Sequence, residues 1–166
     1  MVKSLLARME RWLAAHRPDY LAGLQSGVSD TRLNKFEARF GVKLPAAFRE
    51  LYRWRNGQED GCYDSLQFNR MFTPLDEVAD IKDMLDGMIG TDFKREGWWR
   101  RGWVPFLSNG GGSHLCLDLS AEDGRKVGQL VAFWKADADR PVEYPSVKAW
   151  LEQLVTSMED GSLELA

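Results

Sequence analysis

The first 57 residues carry apolar side chains at the three- and four-residue spacing of amphipathic helices, in three separate stretches. Ser29 can cap the second helix, Gly41 can end it in a left-handed C-cap, and Pro45 can open the third, which ends at Asn56-Gly57. The sequence therefore predicts three N-terminal helices, the first over 4–15. Their apolar stripes are Leu5, Leu6, Met9, Trp12 and Leu13, then Leu33, Phe36 and Phe40, then Phe48, Leu51 and Tyr52.

After residue 57 the spacing changes to the two-residue alternation of strands. In the clearest case three leucines share one face, and His114, Cys116 and Asp118 share the other. Short connections between the last three strands favour antiparallel pairing, because parallel strands need long crossovers. Strands are predicted at 65–72, 103–107, 114–119 and 129–134. A helix capped by Thr73-Pro74 is predicted to turn Leu75, Val78, Ile81 and Leu85 inward, and a closing helix is predicted at 146–158.

The predicted fold class is α+β, with N-terminal helices, an antiparallel β-meander sheet and a closing C-terminal helix. A chain of 166 residues is the size of one ordinary domain, so a single domain over 1–166 is expected. Residues 86–102 fit neither period, because four glycines interrupt charged residues and tryptophans. This stretch is predicted to be an irregular insertion.

Charge and cysteine content restrict the partners and the compartment. The net charge is −3, which gives no general attraction to nucleic acid or to anionic lipid. With only Cys62 and Cys116, no disulfide framework supports the fold, and a reducing compartment is expected. The charged N-terminus does not resemble a signal peptide, and no apolar run is long enough to span a membrane. We expect a cytoplasmic protein with neither nucleic-acid nor membrane partners.

Four segments follow one another in a distinctive order along the chain. They are FEARFGVKLP at 36–45, Asn56-Gly57 at the end of the third helix, WVPF at 103–106 with GGSHLCLDL at 111–119, and the closing helix that begins SVKAWL at 146–151. In this order they resemble the SUKH superfamily, which joins fungal cell-wall-assembly regulators and bacterial immunity proteins. The resemblance covers about residues 29–155, and the insertion at 86–102 departs from the family's shorter pattern.

The resemblance implies a non-catalytic, cofactor-free module that binds another protein. In bacteria it implies neutralisation of a toxin, often a nuclease, and in fungi a regulatory or scaffold domain inside a longer chain with disordered flanks. Because such flanks are missing from this sequence, the bacterial immunity role is the expected one. The regulatory or scaffold role is the first alternative.

Chemical motifs in the sequence are weak. His114 and Cys116 lie two residues apart on a strand, about 6–7 Å, which is too far for a direct nucleophile–base pair. The histidines and cysteines do not have metal-ligand spacing, and the glycine run at 109–113 lacks the lysine and helix of a phosphate loop. A small enzyme or nucleotide-binding protein using His114, Cys116 and Asp118 is the second alternative.

Two regions are predicted to contact the protein partner. Acidic residues follow the third helix at 59, 60 and 64, and a second acidic group, Asp118, Glu122 and Asp123, lies near the meander. Together the two groups could face a basic toxin or nuclease domain. The basic, aromatic run at 94–101 is the competing surface, because Trp and Arg are common interface anchors. The partner-binding candidates are Glu59, Asp60, Asp64, Trp98, Trp99, His114 and Asp118.

Overall fold

The computed structural model describes residues 1–120, 122, 124 and 126–166. None of the helices in this part of the chain is long and apolar enough to cross a membrane. In chain order the elements are α1 (Lys3–His16), α2 (Pro18–Ala22), β1 (Leu24–Ser26), α3 (Asp30–Phe40), α4 (Ala46–Trp54), β2 (Arg55–Gln58), β3 (Met71–Phe72), α5 (Leu75–Gly87), β4 (Trp103–Ser108), β5 (His114–Asp118), β6 (Gln129–Phe133), β7 (Val142–Tyr144) and α6 (Val147–Asp160).

Strands β3 to β7 form an antiparallel sheet in which each strand pairs with its neighbour in the chain. Strands β1 and β2 form a separate antiparallel pair. The predicted α+β fold with a meander and a closing helix is confirmed. The strands predicted at 103–107, 114–119 and 129–134 are each correct to within one residue at their ends.

Helices α4 and α6 cover one face of the sheet, and α1 packs against α6. Phe106 of β4 lies between them, with ring centroids 5.5 Å from those of both Phe48 and Trp150 in edge-to-face geometry. Leu115 and Leu117 of β5 point into the same core and are fully buried. The predicted inward face of α4 is confirmed, and burial of the apolar faces of α4 and α6 provides the main apolar contribution to stability.

The opposite face of the sheet is also buried. Trp103, Cys116, Val131 and Phe133 form a second apolar cluster on this face. The cluster is covered by the end of α5 and by the segment 88–102, which is rich in turns as predicted, while residues 86 and 87 belong to α5. The predicted insertion therefore acts as a second covering layer over the sheet.

The residues predicted from the sequence to cap or end helices α3 and α6 do so in the structure. The Ser29 hydroxyl accepts a hydrogen bond from the Arg32 N–H at 3.2 Å, and the Ser146 hydroxyl accepts one from the Ala149 N–H at 3.0 Å. Gly41 ends α3 with a φ of 64°. These signals depend only on neighbouring residues, which is why the sequence alone reveals them.

Three short elements lie where the sequence analysis predicted none. Pro18 occupies the first position of α2, and β1 follows α2 closely. Strand β7 completes the sheet edge. Elements of three to five residues are too short to show a helical or strand period.

The role predicted for Asn56-Gly57 and Thr73-Pro74 was wrong in part. Helix α4 ends at Trp54, and Asn56 and Gly57 lie in β2. No side chain of the preceding residue caps α5. Instead, the Asn56 side-chain oxygen accepts a hydrogen bond from the Leu75 N–H at 2.7 Å. A residue far along the chain therefore satisfies the first turn of α5.

The strand predicted at 65–72 was also wrong, because only Met71–Phe72 is a strand. Phe68 and Asn69 have φ angles of 51° and 56°, so the chain turns at these residues. Their N–H groups donate to the carbonyl oxygens of Glu164 and Leu165 at 2.9 and 2.6 Å. A turn that depends on the C-terminal residues cannot be seen in the local pattern.

Candidate functional site

An exposed acidic loop at 59–64 follows β2. Glu59, Asp60 and Asp64 are all exposed, and none of them has an ion-pair partner among the residues that the structure describes. Tyr63 lies beside them with 79% of its surface exposed. The loop therefore presents unneutralised carboxylates and an aromatic ring to any partner.

The acidic loop is held by Gln58, which is buried. The Gln58 amide nitrogen donates to the carbonyl oxygens of Cys62 and Asp64 at 2.8 and 3.0 Å. Its oxygen accepts from the Tyr20 hydroxyl at 2.7 Å and from the Phe72 N–H at 2.8 Å. Burial raises the pKa of Tyr20, so its hydroxyl stays a donor at neutral pH. All the polar atoms of one buried amide therefore fix the loop's course.

The second acidic group predicted near the meander is dispersed. Asp118 is fully buried, Glu122 pairs with Arg100, and Asp123 lies outside the described residues. The Asp118 carboxylate accepts from the Ser120 N–H at 2.9 Å and the Ser120 hydroxyl at 2.5 Å, which is the geometry of a turn-stabilising aspartate. Asp118 cannot contact a partner, because its side chain has no exposed surface.

Trp98 and Trp99 differ in their surroundings. Trp99 is 3% exposed, packs edge-to-face against Trp103 and Phe133, and donates its indole N–H to Asp86 at 2.8 Å. It anchors the segment 88–102 to the sheet and offers no surface to a partner. Trp98 is half-buried and lines an open cleft.

Arg140 fixes the position of Trp98. Its guanidinium carbon lies 4.6 Å from the Trp98 ring centroid and 4.5 Å from that of Phe133. The Arg140 Nε also donates to the Trp98 carbonyl oxygen at 3.0 Å. A cation between two aromatic rings holds both by cation–π attraction, so Trp98 is a pre-positioned wall of the cleft.

His114 and Cys116 lie on the buried second face of the sheet rather than on a polar rim. The Cys116 thiol is fully buried and burial raises its pKa, so it is protonated at neutral pH and poorly suited to act as a nucleophile. His114 is 6% exposed, and its ring stacks on Phe133. Burial lowers the pKa of His114 to about 4, so the ring is neutral at physiological pH.

The burial of His114 makes stability depend on pH. The unfolded chain binds a proton on this ring near pH 6.5, whereas the folded chain does so only near pH 4. The stabilising contribution is therefore complete above pH 6.5 and is lost as the pH falls toward 4, by on the order of 3 kcal/mol. Denaturant unfolding of the native protein and of His114→Gln across this range should show a difference that shrinks at low pH. Parallel curves would contradict the assignment.

Two clefts on one surface bring the exposed candidates together. The acidic cleft, of about 520 Å³, is lined by Glu59, Asp60 and Tyr63 of the acidic loop and by Glu77 of α5. The aromatic cleft, of about 650 Å³, is lined by Met88, Phe93, Trp98 and Phe133, among others. Both clefts include the same three residues, Met84, Gly112 and His114. The two surfaces that the sequence offered as competitors are therefore the two ends of one groove.

Of the three residues that both clefts share, sequence analysis identified only His114. Met84 is 58% exposed on α5 and borders both clefts, and Phe93 and Phe133 reach the aromatic cleft from separate parts of the chain. Only Met84 gave a signal, as an apolar residue off the buried stripe of α5. Methionine is flexible and polarisable, which suits a surface that must adapt to a partner. No group of three or more possible metal ligands occurs among the described residues.

Comparison with known proteins places the chain in a family. A segment of 51 residues, 31% of this chain, is 41% identical to the F-box protein SKIP16 of Arabidopsis thaliana. The match spans only 12% of that protein's length. The model of the SMI1/KNR4 family (SUKH-1) matches residues 27–153, and its span agrees closely with the resemblance found over 29–155. The chain therefore belongs to the SMI1/KNR4 family, SUKH-1.

Proposed function

We propose that this protein is a non-catalytic, cofactor-free module of the bacterial immunity type, which acts in the cytoplasm by binding and neutralising a toxin domain. One observation carries the proposal: the exposed acidic loop and the aromatic cleft are continuous through Met84, Gly112 and His114. A groove with unpaired carboxylates beside an apolar recess has the composition of a protein interface, which needs charge for steering and aromatic groups for affinity.

The partner expected at the acidic loop is a basic domain such as a nuclease. The loop that carries Glu59, Asp60 and Asp64 is held by Gln58, and no described cation forms an ion pair with these three residues. Carboxylates in this state attract a basic surface over about 10 Å at moderate salt. A toxin that binds nucleic acid has such a surface, and occupying it would block access of the substrate.

The decisive variant reverses the charge of the acidic loop. Glu59→Lys, Asp60→Lys and Asp64→Lys together should slow association with the toxin domain that the native protein neutralises, on the order of tenfold at low salt. The dissociation rate should change little, and the salt dependence of association should weaken, because rim charges act mainly through steering. Stopped-flow or biosensor kinetics over a salt series would measure both effects.

A matched control separates local from global electrostatics. Glu152→Lys, Asp160→Lys and Glu164→Lys change the net charge equally, and all three are exposed outside both clefts. This variant should associate nearly as fast as the native protein. Equal slowing of both variants would refute the placement of the interface. If the native protein leaves the toxin active and instead co-purifies with a cellular partner, the regulatory or scaffold role is correct.

A further inference from the structure

The two ends of the groove carry opposite charge. The acidic cleft is lined by three carboxylates, Glu59, Asp60 and Glu77, and by no lysine or arginine among the described residues. The aromatic cleft is lined by Lys94, Arg95 and Lys135 and by one carboxylate, that of Asp92. A partner that is basic throughout would be attracted at one end of the groove and repelled at the other.

The cations at the aromatic cleft have no ion-pair partner in the part of the chain that the structure describes. Lys94, Arg95 and Lys135 have no carboxylate of those residues within 4.0 Å. A carboxylate placed here by a partner would relieve this local excess of positive charge.

The aromatic cleft between these cations suits a large apolar side chain. Its lining includes the rings of Phe93, Trp98 and Phe133, together with Met84 of α5 and Met88, which directly follows α5. Arg140 holds Trp98 and Phe133 in place before any partner arrives. Pre-positioned aromatic walls reduce the ordering cost of binding, which is a property of interface hot spots.

We propose that the groove receives one segment of the partner with a fixed charge order, basic residues over the acidic cleft, a large apolar anchor in the aromatic cleft, and acidic residues beside Lys94 and Arg95. The inference rests on the proposed function, because it names the part of the partner that is recognised. It replaces a uniformly basic partner surface with a segment of mixed charge.

The first test uses defined peptides and the full-length protein with ¹³C-labelled methionine methyl groups. The matching peptide has two arginines, a central tryptophan and two glutamates, separated by alanines. Control peptides replace the tryptophan with alanine, or make both flanks basic, or make both flanks acidic. The matching peptide should shift the methyl signals of Met84 and Met88 and leave those of the core residues Met9 and Met158 unchanged.

The proposed charge order also predicts the relative affinities of the peptides for the groove. Replacing the tryptophan should weaken binding on the order of thirtyfold or more, as for a hot-spot anchor. Making both flanks basic should weaken binding on the order of tenfold, because two favourable pairs become repulsive contacts. If no peptide shifts Met84 or Met88, or if the all-basic peptide binds as tightly as the matching one, the proposal is wrong.

The second test uses the toxin itself. The double variant Lys94→Glu, Arg95→Glu should raise the dissociation constant of the complex on the order of tenfold, mainly through slower association, because it repels the partner's acidic residues. A uniformly basic partner surface predicts the opposite sign, since added carboxylates would then tighten the complex. Tighter binding by this variant would overturn the charge order while leaving the proposed function intact. Absence of toxin binding by the native protein would instead refute the function, and the peptide results would still decide the charge order.

Discussion

Replacing Gly57 with alanine is expected to destabilise the fold by about 3–5 kcal/mol, the sum of a backbone penalty and a steric one. Gly57 has a φ of 66°, which side-chain-bearing residues rarely adopt. A Cβ atom there would lie 2.4 Å from the Pro74 nitrogen, a backbone atom that cannot move without displacing α5. Its neighbours Asn56 and Gln58 would move as well, so the α5 cap and the support of the acidic loop would both be lost. Denaturant unfolding at equilibrium would measure the loss.

Two other glycines serve as controls for Gly57→Ala. Gly61 has a φ of 90° and open space around it, so Gly61→Ala should cost only about 1 kcal/mol through the backbone conformation. Gly87 has open space and no such angle, so Gly87→Ala in α5 should be neutral or stabilising by up to about 1 kcal/mol. If Gly57→Ala behaved like Gly61→Ala, the close contact with Pro74 would not be a real constraint.

Replacing Asp86 with alanine is expected to destabilise the protein by about 3–5 kcal/mol, because it leaves a buried charge without its partner. The Lys82 side chain is 1% exposed, and its ammonium lies 3.2 Å from the Asp86 carboxylate. The same carboxylate accepts the indole N–H of Trp99. The variant should therefore also loosen the segment 88–102, which hydrogen exchange of its amides would detect.

The pH dependence of the stability loss in Asp86→Ala shows whether the unpaired Lys82 charge causes it. Burial lowers the pKa of Lys82, and the Asp86 carboxylate opposes this effect. Without Asp86 the folded state favours neutral lysine more strongly, so the stability deficit should shrink as the pH rises toward 10. Asp83→Ala is the control, because Asp83 is exposed and pairs only loosely with Arg39 at 3.7 Å. A deficit that is independent of pH would assign the loss to packing alone.

The main framework of the fold was predictable because it depends on local patterns. Apolar stripes and capping residues such as Ser29 and Ser146 determine helices within a few positions, and alternation at 114–119 determines a strand. The turn at Phe68 and Asn69 was not predictable, because distant C-terminal carbonyl groups stabilise it. The α5 cap was missed for the same reason, since Asn56 reaches it across the fold.

The candidate site was predictable in its charges and not in its geometry. The exposed positions of Glu59, Asp60 and Asp64 agree with their place in a polar loop. His114 and Asp118 alternate with leucines, and such a pattern usually indicates a strand with one solvated face. Here the segment 88–102 covers that face, so both residues are buried. Whether an irregular stretch covers a sheet or extends into solvent cannot be read from its own composition.

The two apolar clusters of this fold allow substitutions in one cluster to leave the other unchanged. The main core and the second cluster lie on opposite faces of one sheet, and their buried side chains belong to different sets of residues. Substitutions at Phe93 or Trp98 therefore alter the proposed recognition surface while the packing around Phe106 and Trp150 stays as it is. Changes at separated sites add nearly independently in free energy. A lineage carrying this domain can thus acquire a new partner by varying the covering segment, with the scaffold inherited unchanged.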